Sequence, residues 1–202
     1  AMSNRIPILF LPGDTFSNRF PDPVLQQVEH FNNPGITAND AFKPVTRYFD
    51  RVTRPEQIIS SLQQAIQVML DPADCGPACI SLSQDVQGEV FDYPEEFFKE
   101  RIHTILRAKP DDFQIKEAAD LIKKSKKPII ISGGGVFYSD ATDELSAFAI
   151  KHNIPVTQTV MGYSTMKKDH SHYLGVIGGL GGKAANNFSK ETDTAIAIGT
   201  KL

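Results

Sequence analysis

Thr194-Ala195-Ile196-Ala197-Ile198-Gly199-Thr200-Lys201-Leu202, the last residues of the chain, decide the fold. A short continuous apolar run closed by glycine is the pattern of a parallel strand buried on both faces. In an α/β domain a parallel neighbour is reached only through a crossover, so a covering helix is expected after such a strand. Here the sequence stops instead. At the other end, Ala1-Met2-Ser3-Asn4 resembles a cloning remnant, and Ile6-Pro7-Ile8-Leu9-Phe10-Leu11 enters a strand with no element before it. The expectation is an internal piece of a longer protein.

Upstream of the closing strand a βα rhythm recurs. A helix over Ile115–Lys124 leads to a strand Pro128–Ser132 and then Gly133-Gly134-Gly135. A helix Thr142–Asn153, a strand Ile154–Val160, a glycine-rich loop and a helix Lys183–Ser189 follow. That alternation argues for a Rossmann-like parallel sheet. The first part of the chain is also α/β, with a strand Pro7–Leu11 turning at Pro12-Gly13-Asp14 and one helical face on Val24, Leu25, Val28 and Phe31. Thr53 is the expected N-cap of a helix with Pro55 and Glu56 in its first turn. Ile58, Ile59, Leu62, Ala65, Ile66 and Met69 give that helix its apolar face, Asp71-Pro72 ends it, and Ala78–Leu82 is the next strand. Residues 87–113, crowded with charge, proline and aromatic side chains, read as a connector packed along a surface. The fold class is therefore α/β, organised as residues 1–86, a connector 87–113 and a Rossmann-like domain 114–202.

The 202 residues, 41% of them apolar, suffice for an ordinary core, and a net charge of −3 gives no electrostatic footprint for nucleic acid or an anionic membrane. The basic run Lys123-Lys124-Ser125-Lys126-Lys127 suits a solvated helix C-terminus complementing the helix dipole. Cys75 and Cys79 offer neither a disulfide framework nor metal spacing, and Cys79 lies in an apolar strand as a buried thiol. With no signal peptide and no stretch of transmembrane length, the expected location is cytoplasmic.

Two glycine loops could cradle phosphate, because glycine lets backbone amides approach an anion. Gly133-Gly134-Gly135-Val136 follows a strand but is not G-x-G-x-x-G, and no acidic residue closes the next strand. Gly179-Leu180-Gly181-Gly182-Lys183-Ala184 fits G-x-G-x-x-A by letters without directly following a strand. Tight turns are the favoured reading at both, with nucleotide binding as the alternative. His170-Ser171-His172 lacks a third partner at metal spacing, which leaves exposed loop histidines. Ser81, Ser83 and Asp85 form no nucleophile elbow. No catalytic residue and no metal ligand is assigned.

Several blocks in one order resemble the thiamine-diphosphate enzymes of the acetolactate synthase type. Pro44-Val45-Thr46-Arg47, Arg54-Pro55-Glu56 and Gly76-Pro77-Ala78-Cys79-Ile80-Ser81-Leu82 with Gln84-Asp85-Val86-Gln87 resemble the end of their pyrimidine-binding domain. Lys127-Pro128, Gly133-Gly134-Gly135-Val136, Asn153-Ile154-Pro155-Val156, Met161-Gly162, Asp169-His170, Tyr173-Leu174-Gly175 and Gly182-Lys183-Ala184-Ala185-Asn186 are similar to their central domain. The strand before Gln84 usually ends in proline in this family, and Ser83 stands there instead. Gln87-Gly88-Glu89, Asp92-Tyr93-Pro94, Phe97-Phe98 and Arg101-Ile102-His103 in the connector narrow the resemblance. So do Pro12-Gly13-Asp14 and the stretch Pro21–Gln27. All these point to the branch that opens an inositol-derived cyclic 1,2-diketone by hydrolysing a ring C–C bond.

The resemblance implies thiamine diphosphate and Mg²⁺ in the longer protein, held by residues largely outside this chain, and a fragment inactive by itself. It implies a small polyol-like diketone as substrate, and homodimers or homotetramers. Alternatives are a synthase or decarboxylase of 2-oxo acids, or a central domain binding FAD or an ADP moiety through Gly133, Gly134, Gly135, Gly181 and Gly182; bound FAD is not the expectation. The resemblance also implies that Asp14, after a strand's carboxyl end, lies near the substrate pocket, where its carboxylate would hydrogen-bond the hydroxyls of a polyol-like diketone. The alternative is a turn aspartate bonding its own backbone.

Overall fold

The computed structural model describes residues 1–21 and 32–201, so the helix expected over Val24–Phe31 lies outside the described residues. The chain forms two units, Ala1–Ala108 and Lys109–Leu202. Among the described residues no helix is long and apolar enough to cross a membrane.

In the first unit β1 (Leu9–Phe10), β2 (Gly13–Asp14), β3 (Tyr48–Val52) and β4 (Ala78–Ser83) make one parallel sheet. β1 and β2 share one edge of β4, with Leu9 opposite Ala78 and Asp14 opposite Ser83. β3 runs along the other edge, Tyr48 opposite Ala78 and Val52 opposite Leu82. The expected turn at Pro12-Gly13-Asp14 is corrected here. Pro12 has no N–H for the ladder and interrupts it, but its carbonyl still accepts from the Leu82 amide at 2.9 Å, and pairing resumes at Gly13.

Side chains alternate across these strands. Leu9, Tyr48, Val52, Ala78, Ile80 and Leu82 pack with Ile58, Leu62, Ala65 and Met69 of α1 (Ile58–Leu70). The opposite face takes Phe49, Arg51, Cys79, Ser81 and Ser83. Cys79 is fully buried on the central strand, whereas Cys75 is half-buried. α1 is entered differently from expectation. A 3₁₀ turn, Pro55–Gln57, precedes it, and Gln57 Oε1 accepts from the Thr53 and Arg54 amides at 2.7 and 3.0 Å. The glutamine reaches back to satisfy the amides that free helix starts leave open, and Thr53 caps nothing.

The second unit is a parallel sheet of β5 (Pro128–Ser132), β6 (Val156–Gln158), β7 (Tyr173–Val176) and β8 (Thr194–Ile198), in the order β7-β6-β5-β8. With it go α2 (Asp112–Lys124), α3 (Gly134–Tyr138), α4 (Thr142–His152) and α5 (Lys183–Lys190). Ile130 and Val156 form the core with Val136, Leu145, Ala149, Ile154 and Met166. α4 ends at Asn153 in the left-handed region (φ 51), which asparagine tolerates better than most residues. Two strand expectations need correction. Ile154–Val160 contributes only Val156–Gln158, because Thr159 turns the chain into a 3₁₀ segment, its hydroxyl accepting from the Gly162 amide at 3.0 Å. Among the described residues β8 pairs with β5 alone, and Ala195 and Ala197 are exposed with their neighbours half-buried, so here it is covered on one face and not on both.

Candidate functional site

A parallel sheet gathers the carboxyl ends of its strands on one edge, where ligands of open α/β sheets bind. Asp14 closes β2 at that edge of the first sheet, but its side chain is fully buried. The carboxylate expected to meet a substrate hydroxyl is already bonded within the protein. Oδ2 accepts from Arg51 Nε at 2.7 Å and from the Ser81 hydroxyl, and Oδ1 accepts from the Thr15 amide at 2.8 Å. The local backbone bond of a turn aspartate is thus present, together with two long-range partners. Arg51 extends the cluster, since Nη2 donates to Asp40 Oδ2 at 2.9 Å and to Thr37 Oγ1 at 2.8 Å. Asn39 Nδ2 bridges the Gly13 carbonyl and Ser81 Oγ, both at 2.8 Å.

The partners arrive by local rules. Arg51 and Ser81 are register neighbours on β3 and β4, so their side chains leave the sheet on the same face. Thr37 and Asp40 form a capping box at the start of the 3₁₀ segment Ala38–Val45. In it Thr37 Oγ1 accepts from the Asn39 amide at 3.2 Å and Asp40 Oδ2 from the Thr37 amide at 2.7 Å. Sequence reasoning found Asp14 and missed Arg51, Thr37, Asn39, Asp40 and the role of Ser81. Two signals pointed to them, the alternation of Ser81 and Ser83 with Ile80 and Leu82, and the Thr37-x-x-Asp40 spacing.

Burial opposes ionisation of Asp14, but bonds from Ser81, Arg51, Thr15 and Thr37 outweigh it and hold the carboxyl below its ordinary value. Burial likewise opposes charge on Asp40, and Lys43, Thr37 and Arg51 bring it down to about 2. Arg51 is desolvated too, yet the two carboxylates raise it further. All three stay charged at neutral pH, so the cluster orients and does not shuttle protons. A carboxyl whose folded-state pKa is depressed stabilises the fold above its unfolded value and ceases to do so as pH falls through the folded one. The melting temperature of the first unit is accordingly expected to drop as pH falls from 3.8 toward about 2. A midpoint that stays flat over that window in a thermal melt by circular dichroism overturns the assignment.

The glycine loops sit elsewhere. In the second sheet the chain steps from β5 to β6 to β7 and returns to place β8 on the far side of β5, so the order reverses between β5 and β8. Gly133, Gly134 and Gly135 follow β5 at that point. The amides of Gly133 and Gly135 donate to the Ile198 and Gly199 carbonyls, each at 2.8 Å. A Cβ on Gly133 would lie 2.4 Å from the Gly199 carbonyl oxygen, and one on Gly135 2.6 Å from Gly199 Cα. Gly181 and Gly182 follow β7, and their amides donate to the Gly178 and Val176 carbonyls at 2.8 and 2.9 Å. Four of the five glycine amides are therefore spent on the fold, and β6 separates the strands that precede the two loops. The histidine pair is engaged as well. His170 Nε2 meets Ser146 Oγ at 2.8 Å, His170 Nδ1 accepts from the His172 amide, and His172 Nε2 meets Asn153 Oδ1 at 3.0 Å. A shallow cavity of about 240 Å³, lined by Gln158, Tyr163, Ser164, Met166, Lys167 and Lys168, contains none of the expected site residues.

Comparison with known proteins follows this division. Residues 115–202 match the family model of the thiamine pyrophosphate enzyme central domain. The chain is 52% identical over 202 residues to a 3D-(3,5/4)-trihydroxycyclohexane-1,2-dione hydrolase of Clostridium perfringens (strain 13 / Type A), covering 100% of this chain and 32% of that protein. It is 51% identical over 201 residues to the protein of the same description from Bacillus subtilis (strain 168), again 100% of this chain and 32% of the relative. The chain thus spans about a third of the length of these relatives. The parallel α/β sheet of the second unit agrees with this match, and the segment 115–202 is similar to the central domains of the thiamine pyrophosphate enzymes.

Proposed function

We propose that the protein to which this chain belongs is a thiamine-diphosphate- and Mg²⁺-dependent hydrolase that opens the ring of a trihydroxycyclohexane-1,2-dione by cleaving a C–C bond. The observation that carries the reading is identity near one half along all 202 residues with relatives of that description. In this reading residues 1–86 are the tail of a pyrimidine-binding domain, 87–113 a connector and 114–202 the central domain. The protein is cytoplasmic, assembles as a homodimer or homotetramer, and acts on a small polyol-like diketone and not on nucleic acid.

Among the described residues no three of His, Cys, Asp and Glu converge as a metal site. In this reading the groups that hold Mg²⁺ and the diphosphate lie largely outside this chain. The substrate ring is placed at the carboxyl edge of the first sheet, where Asp14 acts by position, behind Arg51, and not by contact.

The test is an assay of the longer protein on the cyclic diketone and on pyruvate. Ring opening of the diketone without turnover of pyruvate is expected. Turnover of pyruvate alone replaces this reading by a 2-oxo-acid synthase or decarboxylase. The 202-residue chain is expected to show no saturable heat on titration with thiamine diphosphate and Mg²⁺. Saturable binding would mean that the chain holds the cofactor itself.

A further inference from the structure

We infer that Arg51 is a positioning residue, a latch that ties the segment from Gly35 to Asp40 onto the carboxyl edge of the first sheet and so sets the 3₁₀ segment Ala38–Val45 over it. The placement of a substrate there rests on the function proposed above; the latch itself does not. A single guanidinium reaches two places far apart in sequence. Nε is taken by Asp14 on the sheet, and Nη2 by Thr37 and Asp40 on the segment. Nη1 lies 3.4 Å from the Gly35 carbonyl. Besides Arg51, Asn39 reaches the sheet edge through the Gly13 carbonyl and Ser81, and the Thr37 side chain bonds Asp14.

The planar fork matters as much as the charge. Its donors leave in fixed directions, so holding Asp14 fixes where Thr37 and Asp40 must sit. Lysine would keep the charge but offers one compact ammonium that cannot reach both carboxylates and the hydroxyl with the same geometry. The segment carries residues that face outward at this edge. Phe42 stacks on Phe10 with ring centroids 5.7 Å apart, and Lys43 is half-exposed above the Phe49 ring. Arg51 itself retains 22% of its side-chain exposure. Displacing the segment would move all of these together.

Hydrogen exchange on the full 202-residue chain reads the latch directly, because the amides of Thr37, Asn39 and Asp40 are bonded within the segment. In Arg51→Lys these amides are expected to exchange at least about tenfold faster, while β4 amides over Ala78–Ser83 change by less than about threefold. Asp40→Asn, which leaves the Asp14–Arg51 pair in place, serves if Arg51→Lys does not fold, read at the Asn39 amide, whose acceptor is Thr37 Oγ1 and not Asp40, with faster exchange of smaller size expected there. Unchanged exchange in the segment overturns the latch. So does acceleration spread equally over β3 and β4, which would make Arg51 a general stabiliser of the unit. In the longer protein, Arg51→Lys is expected to lower kcat on the cyclic diketone with KM within about twofold. If the unaltered protein does not turn over the diketone, the proposed function fails while the exchange result still decides the latch.

Discussion

Replacing Arg51 by leucine is expected to destabilise the first unit by roughly 3–5 kcal/mol, the range for removing one partner of a buried ion pair. Asp14 is fully buried, and Arg51 is its cationic partner at 2.7 Å. Without the guanidinium, the carboxylate must stay charged in a poorly solvated site or take up a proton, and either route costs stability. Urea unfolding followed on that unit should show a lower midpoint at unchanged slope. The double variant Asp14→Leu with Arg51→Leu should recover a substantial part of the loss, since no charge is then left stranded. A loss below about 1 kcal/mol for Arg51→Leu would place the pair among exposed surface bridges and remove the basis for the cluster.

Gly162→Ala should cost the second unit about 3 kcal/mol, the upper part of the usual range for overpacking. The added methyl would lie 2.2 Å from the Ser132 carbonyl oxygen and 2.9 Å from Gly133 Cα. Both are backbone atoms at the end of β5, so no side chain can swing aside. The turn cannot retreat cheaply either, because the Gly162 amide is bonded to the Thr159 carbonyl and hydroxyl at 2.9 and 3.0 Å. Gly182→Ala is the control. Nothing lies within 4 Å of the position its Cβ would take, and its stability should change by no more than about 0.5 kcal/mol. Equal losses at the two positions would show that the close approach does not decide stability.

The elements that the sequence revealed share one property, a pattern carried by consecutive residues. α1, α2 and α4 announce themselves through apolar residues at helical spacing, and β5 and β8 through uninterrupted aliphatic runs. β3 and β7 do not. In Tyr48-Phe49-Asp50-Arg51-Val52 two charges break the run, yet each is satisfied on its own face, Asp50 by Ser61 of α1 and Arg51 by Asp14. β7 contains Gly175 at φ 100, where its register with β6 slips. The same reasoning explains the site. Asp14 is visible as a carboxylate beyond a strand, but Ser81 lies 67 positions away and Arg51 37. Such pairs depend on which strands lie side by side, and periodicity along one strand does not encode that.

The two cysteines have a consequence for how this molecule can be watched. Only the thiolate reacts with alkylating reagents. Burial pushes the Cys79 thiol up to about 11, and no part of it reaches solvent. Cys75 is also shifted upward by burial, but it is partly accessible from the surface. Modification of Cys75 therefore proceeds on the closed molecule, whereas modification of Cys79 must wait until the central strand of its sheet parts from its neighbours. The labelling rate at Cys79 is thus a clock for opening of the first unit, and Cys75 in the same chain reports the chemical reactivity against which that clock is set.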